Sequence, residues 1–196
     1  MHALRTTLFA AGLAASSVAL SQTFTAVPSG SYIVDQSRSQ VIAKVGYLGL
    51  GTKTVTFPKM SGALGYDAQA PQAIKLDVNI DATALQSGSS WDEEKLKGED
   101  FFNTTIHPTI LFHGTRLNMK SARSASVDGT ITVRGISKPA TLAVDFNSAL
   151  GDINRTGRVS MTAKTKIKRS DFNMTAWSMI VSEKVTLTIN VELVKR

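Results

Sequence analysis

Lys184-Val185-Thr186-Leu187-Thr188-Ile189-Asn190-Val191-Glu192-Leu193 alternates polar and apolar side chains without a break. Successive side chains of a strand project to opposite faces. Val185, Leu187, Ile189, Val191 and Leu193 therefore share a dry face, and the residues between them a wet one. Working back along the chain, Ile74, Leu76, Val78 and Ile80 repeat the pattern, as do Val41, Ala43, Val45 and Tyr47. Further strands are expected at 31–34, 53–57, 60–67, 109–118, 126–134, 138–147 and 157–168, with Pro58 marking an edge or kink. The glycines around Leu48-Gly49-Leu50-Gly51 suggest a bend or bulge. Gly135-Ile136-Ser137-Lys138 reads as a tight turn. One short helix is expected over 92–97, started by Ser89 or Ser90 and stopped by Gly98.

No helical segment is long enough to cover a sheet, so strands that are each dry on one side must enclose that side themselves. About eight strands, neighbours along the chain, close most simply as an antiparallel barrel. A two-layer sandwich fits the same strand spacing. Either way the chain is all-β and forms one domain, since no repeat, linker or low-complexity tract divides it.

Arg5 precedes an apolar or small-residue run, Leu8 to Leu20, and Ala19-Leu20-Ser21 offers small residues where a signal peptidase reads. Residues 1–21 are expected to be a secretory signal peptide and 22–196 the barrel domain, placing the mature protein in the periplasm or outside the cell. The run is too short for an ordinary membrane span. The 196 residues contain no cysteine, which excludes disulfide staples and thiol catalysis. The net charge of +7 is concentrated in part at Lys164, Lys166, Lys168 and Arg169. The three lysines alternate with Ala163, Thr165 and Ile167, so they stripe the outer face of one strand. Such a stripe can meet nucleic acid or anionic lipid headgroups, but is more often a solvated face that discourages edge pairing, and an exported protein seldom meets nucleic acid.

Chemistry is sparsely signalled. There is no His-x-x-x-His pair, no Gly-x-Ser-x-Gly and no Gly-rich phosphate loop, so neither an enzyme nor a cofactor is expected. His107 and His113 lack a partner cluster for a metal. Asp92-Glu93-Glu94 suits the start of a helix.

Three motifs, taken in order, carry a resemblance. Asp100-Phe101-Phe102-Asn103 precedes His107-Pro108-Thr109-Ile110-Leu111-Phe112; Gly135-Ile136-Ser137-Lys138-Pro139 sits in a hairpin; and Lys168-Arg169-Ser170-Asp171-Phe172-Asn173-Met174 ends a strand. With Tyr32-Ile33-Val34-Asp35 at the start, the set closely resembles the YceI-like family of exported, lipocalin-like proteins, over residues 31–194. The resemblance implies an eight-stranded antiparallel barrel whose apolar lumen binds polyisoprenoid chains, such as those of isoprenoid quinones, or other long-chain amphiphiles. The chain departs from the family where Tyr47 stands in place of a frequent His, and where Trp91-Asp92-Glu93-Glu94-Lys95-Leu96 replaces an Arg-Asp-x-His-Leu element. Those departures alter head-group contacts more than tail binding. Asn173 replaces a common Gly, and Asn also tolerates a left-handed backbone.

The residues themselves allow either a hollow barrel or one packed solid. Small inward residues, Ala43, Gly129, Ala140 and Ala163, leave volume for a tail. The candidate lining is Val45, Tyr47, Phe112, Ala140, Leu142, Met161 and Ala163 on strands. Phe101 and Phe102 on one loop, with Phe172, Met174 and Trp177 on another, are expected at a mouth, unless Phe101, Phe102 and Phe172 instead plug an end of the barrel as core. Arg169 and Asp171 share a face and are expected to pair or to cap the turn after the strand. The expected function is an exported carrier of a polyisoprenoid or fatty amphiphile, with transient membrane contact and an oligomeric state, homodimer included, left open. The alternative is a ligand-free barrel acting through its basic face in a surface interaction or stress-related role.

Overall fold

The structure, a computed structural model, describes residues 27–47 and 51–196; the expected signal peptide and the Leu48-Gly49-Leu50 break fall outside these. Among the described residues ten strand segments make one sheet: β1 (Gly30–Val34), β2 (Gln40–Tyr47), β3 (Gly51–Phe57), β4 (Met60–Tyr66), β5 (Ala73–Asp81), β6 (Thr109–Ser121), β7 (Ser124–Val133), β8 (Ile136–Phe146), β9 (Arg158–Lys168) and β10 (Val181–Lys195). β1 and β2 lie end to end along the same partner, β10, through Val34↔Leu193 and Val41↔Ile189. β3 and β4 lie end to end beside them, through Phe57↔Val41 and Ala63↔Ile33. The segments thus form eight staves, and the β1–β10 pairing closes them into an antiparallel barrel. Each interruption has a visible cause: Asp35 caps a 3₁₀ turn at Gln36–Arg38, and Pro58, which cannot donate to a ladder, separates β3 from β4 as expected.

The helix α1 spans Ser90–Lys97, with the Ser89 hydroxyl accepting from Asp92 N–H and Gly98 at its end. A second, one-turn helix, α2 (Ile153–Thr156), was not expected; it lies in the β8–β9 connection, whose Leu150 and Ile153 are buried. The hairpin turn also differs from expectation. Arg134 and Gly135 both have positive φ (53° and 72°), so the turn is these two residues, and Ile136 already pairs with Val133. Asn173 does take the left-handed conformation, at φ 58°.

The barrel's two ends are built differently. At one end the chain from Ala82 to Thr104 crosses over the strands: Ala82 and Leu85 are fully buried, and Gln86 exchanges backbone hydrogen bonds with Thr56. Phe57 meets Phe102 edge to face at 5.5 Å, and Phe172 and Met174 are buried at the same end, which the described residues thus seal. The other end carries the 67–72 turn, the β6–β7 hairpin and α2.

A hollow lumen as candidate functional site

The inward faces enclose a cavity of about 500 Å³. Every dry residue of the last strand, from Val185 to Leu193, lines it, so the periodicity that defines the strand also defines the site. The cavity runs from Phe102, Met174 and Ile167 at the sealed end to Tyr66, Ala68, Pro71 and Gln72 at the other. Pro71 and Gln72 are exposed while lining it, so the lumen reaches the surface at that turn. Leu142, Met161, Ile189 and Val191 sit mid-strand on the inner face yet are only half-buried, because they face empty volume.

Among the described residues no charged side chain lines the lumen. Its polar groups are Gln72, the Thr165 hydroxyl and two phenols. Tyr32 is 0 % exposed and donates to Pro28 O at 2.7 Å. Burial, reinforced by the neighbouring Tyr66, pushes the Tyr32 phenol above its ordinary pKa. Tyr66 is raised for the same first reason, with the Asp67 carboxylate adding to it. Both remain neutral hydroxyls throughout the physiological range, so the interior is apolar and uncharged.

Six of the sequence-derived candidates line the lumen together: Phe102, Phe112, Leu142, Met161, Ala163 and Met174. The other six do not. Val45 sits opposite Val185 on the inner register, just beyond the lining, and Tyr47 lies one step further, with the Lys53 ammonium 6.0 Å from its ring. Phe101 packs edge to face on Trp177 at 6.2 Å, and Trp177 lies 6.0 Å from Trp91, all outside the sealed end. Phe172 is 1 % exposed and fills that end as core. Ala140 faces inward opposite Gly129, but neither reaches the lumen. A Cβ on Gly129 would come 2.2 Å from His113 O and 2.9 Å from the Phe112 ring, so the space this glycine leaves is already taken. Ala43 and Ala163 do leave lumen volume.

The expected Arg169–Asp171 pair is absent. Arg169 is buried and donates instead to the carbonyls of Met174, Ala176, Val181 and Ser182, with Glu183 its nearest carboxylate at 3.8 Å. A guanidinium spreads five donors in a plane, which suits it to gathering the carbonyls of an irregular loop. It holds the 169–182 segment over the sealed end. The open end was missed by sequence reasoning because Ala68, Pro71 and Gln72 lie in a turn, where no periodicity marks a facing.

An antiparallel eight-stave barrel around an uncharged lumen defines a lipocalin-like protein. The YceI-like domain matches residues 32–193, and the chain belongs to that family. It is 29% identical to protein YceI of Shigella flexneri over 153 residues, 78% of this chain and 80% of that one. Its fold is similar to Burkholderia cenocepacia BcnA (TM-score 0.71, 20% identity, 81% of this chain and 98% of that chain). It is also similar to a polyisoprenoid binding domain from Saccharophagus degradans (TM-score 0.64, 12% identity, 84% and 98%).

Proposed function

We propose that this barrel holds one long apolar chain, polyisoprenoid or fatty, in its lumen and so carries or sequesters an amphiphile. The observation that carries this reading is the uncharged cavity of about 500 Å³ running between the two ends of the barrel. Volumes of about 300–1,000 Å³ are usual for small-molecule sites. Removing a tail from water contributes about 0.8 kcal/mol per CH₂ before ordering costs. The polyisoprenoid binding of the Saccharophagus degradans domain, alike in fold, supports the chemistry of the chain. The reading is one of binding rather than catalysis, because among the described residues no carboxylate, imidazole or amine faces the cavity, and its few hydroxyls have no base beside them in the lining. A barrel packed solid and acting only through its basic surface would not leave this volume.

Organic extraction of the purified protein followed by mass spectrometry tests the proposal, with a stoichiometric long-chain lipid expected. An empty extract, with no uptake of offered isoprenoid quinone, overturns it. Ala163→Trp is expected to abolish uptake in a protein that still folds, because Ala163 lines the lumen between Val144 and Ile189.

Export and membrane contact belong to the same proposal. The apolar run Leu8–Leu20 supports export, and N-terminal sequencing of the cell-derived protein tests it. Trp91, Trp177 and Met179 are exposed at the sealed end, and the Lys95 ammonium lies 5.7 Å from the Trp91 ring centre. Aromatic rings beside lysines suit an anionic headgroup boundary. Trp91→Ala with Trp177→Ala is expected to release the protein from anionic vesicles in co-sedimentation; equal binding by the double variant refutes this contact.

A further inference from the structure

β8 and β9 are paired only over Ala143–Phe146 against Lys164–Met161. Beyond that point β8 runs back to Ile136, still paired to β7, and β9 runs on to Lys168, still paired to β10. The wall is thus split lengthwise toward the sealed end. A depression occupies the split, with the buried Phe172 packed at its side, and three of its lining residues, Ile131, Thr165 and Ile167, also line the lumen. The two spaces share a wall.

The depression is basic. Lys138, Lys166, Lys168 and Lys184 line it, with Asp171 the single carboxylate among the described residues. Lys166, Lys168 and Lys184 belong to the outer face, but Lys138 does not. Leu142, Val144 and Phe146 of β8 line the lumen, and stepping back by two from Leu142 puts Ala140 and then Lys138 on the inward register. Lys138 is half-buried and stands opposite Ile131, a lumen residue. Among the described residues no carboxylate lies within ion-pair distance of any of these four lysines. Glu183, nearby, accepts from Ser170 N–H and faces Arg169.

We infer that this split is a lateral portal, and that its lysines hold the anionic head group, phosphate or carboxylate, of an amphiphile whose tail lies in the lumen. The inference rests on the reading of the lumen as a chain site. The tail passes Ile131 and Ile167 into the cavity, while the charge stays among cations and never crosses the uncharged interior. Lys138, turned inward where the wall is open, marks the boundary between head and tail.

The test compares hexadecanol, palmitate and hexadecyl phosphate, which share one chain length, in equilibrium binding to the full chain. Both anions are expected to bind about tenfold or more tightly than the alcohol at low salt, with the advantage shrinking as salt is raised. The larger of the two anionic affinities names the head group. In Lys138→Gln/Lys166→Gln/Lys168→Gln/Lys184→Gln the three affinities converge, with circular dichroism confirming the fold; Lys138→Arg keeps the advantage. Equal binding of all three by the natural chain, or an advantage that survives in the quadruple variant, overturns the portal and leaves the lumen reading standing. Failure of all three to bind overturns both.

Discussion

Where β1 gives way to β2, the chain leaves the β10 ladder for Asp35 to Ser39, and other groups take the ladder's place. Asp35 N–H donates to Glu192 O at 2.8 Å, the Ser39 hydroxyl accepts from Glu192 N–H at 3.0 Å, and Arg158 bridges the carboxylates of Asp35 and Glu192. Where β8 and β9 part above Ala143, nothing comparable happens. Among the described residues no side-chain hydrogen bond or ion pair crosses between 136–142 and 165–168, although lysines and threonines stand on both edges. One interruption is bridged by polar side chains and an ion pair; across the other only the buried Phe172 packs, and lysines without an ion-pair partner line the depression outside it. A gap in a barrel wall is a structural detail in the first case and an opening in the second.

Proline reads this difference most strongly. Thr188 on β10 is paired on both sides, to Lys164 and to Ile42. Thr188→Pro should remove a ladder bond from a closed wall and destabilise the barrel by about 3 kcal/mol or more in denaturant titration. Pro139 already occupies β8 beside the split and is exposed. Pro139→Thr is expected to shift stability by no more than about 0.5 kcal/mol. Comparable losses from the two substitutions would mean that the β8–β9 wall is as closed as the rest.

The tightest closure lies one stave away. Gly129 and Gly114 face each other across β6 and β7, and a methyl at position 129 would meet backbone at 2.2 Å. Gly129→Ala should cost about 1–3 kcal/mol through backbone displacement, read as a lower thermal midpoint. If that variant is as stable as the natural chain, β6 and β7 have room to separate, and the contrast between a tight wall and a split one disappears.

These contrasts mark how far the sequence could be read. Alternation placed nearly every strand, because a half-buried strand shows its period directly; Val185 to Leu193 gave the fold and five lining residues at once. It could not rank small inward residues. Ala163 and Gly129 are equivalent in register, yet one opens onto volume and the other onto the Phe112 ring, a difference set by strand separation that no single strand encodes. Loop residues were legible only as types: Phe101 and Phe172 fitted a rim or a plug equally, Phe172 proves to be core, and the lumen reaches the surface at Pro71 and Gln72. The split did leave a trace, since Pro139 inside a strand pattern argues for an unpaired edge, as Pro58 did for the β3–β4 break.

The bridged interruption yields the smallest effect and the one with a defined pH signature. The Asp35 carboxyl is held below the ordinary aspartate range, first by the Ser37 hydroxyl and then by Arg158. A carboxyl whose pKa is depressed in the folded state contributes stability above its unfolded pKa, and that contribution fades as pH falls through the lower folded value. Asp35→Asn should therefore lower the thermal midpoint slightly at neutral pH, and the difference from the natural chain should vanish under acid. It should also shrink with added salt, since the pairing is near the surface. A midpoint difference that stays constant down to acid pH would show that the Asp35 side chain closes the gap by its cap geometry alone. The bridge would then owe nothing to charge, and free lysines at the other gap would lose their value as a sign that a charged partner is missing there.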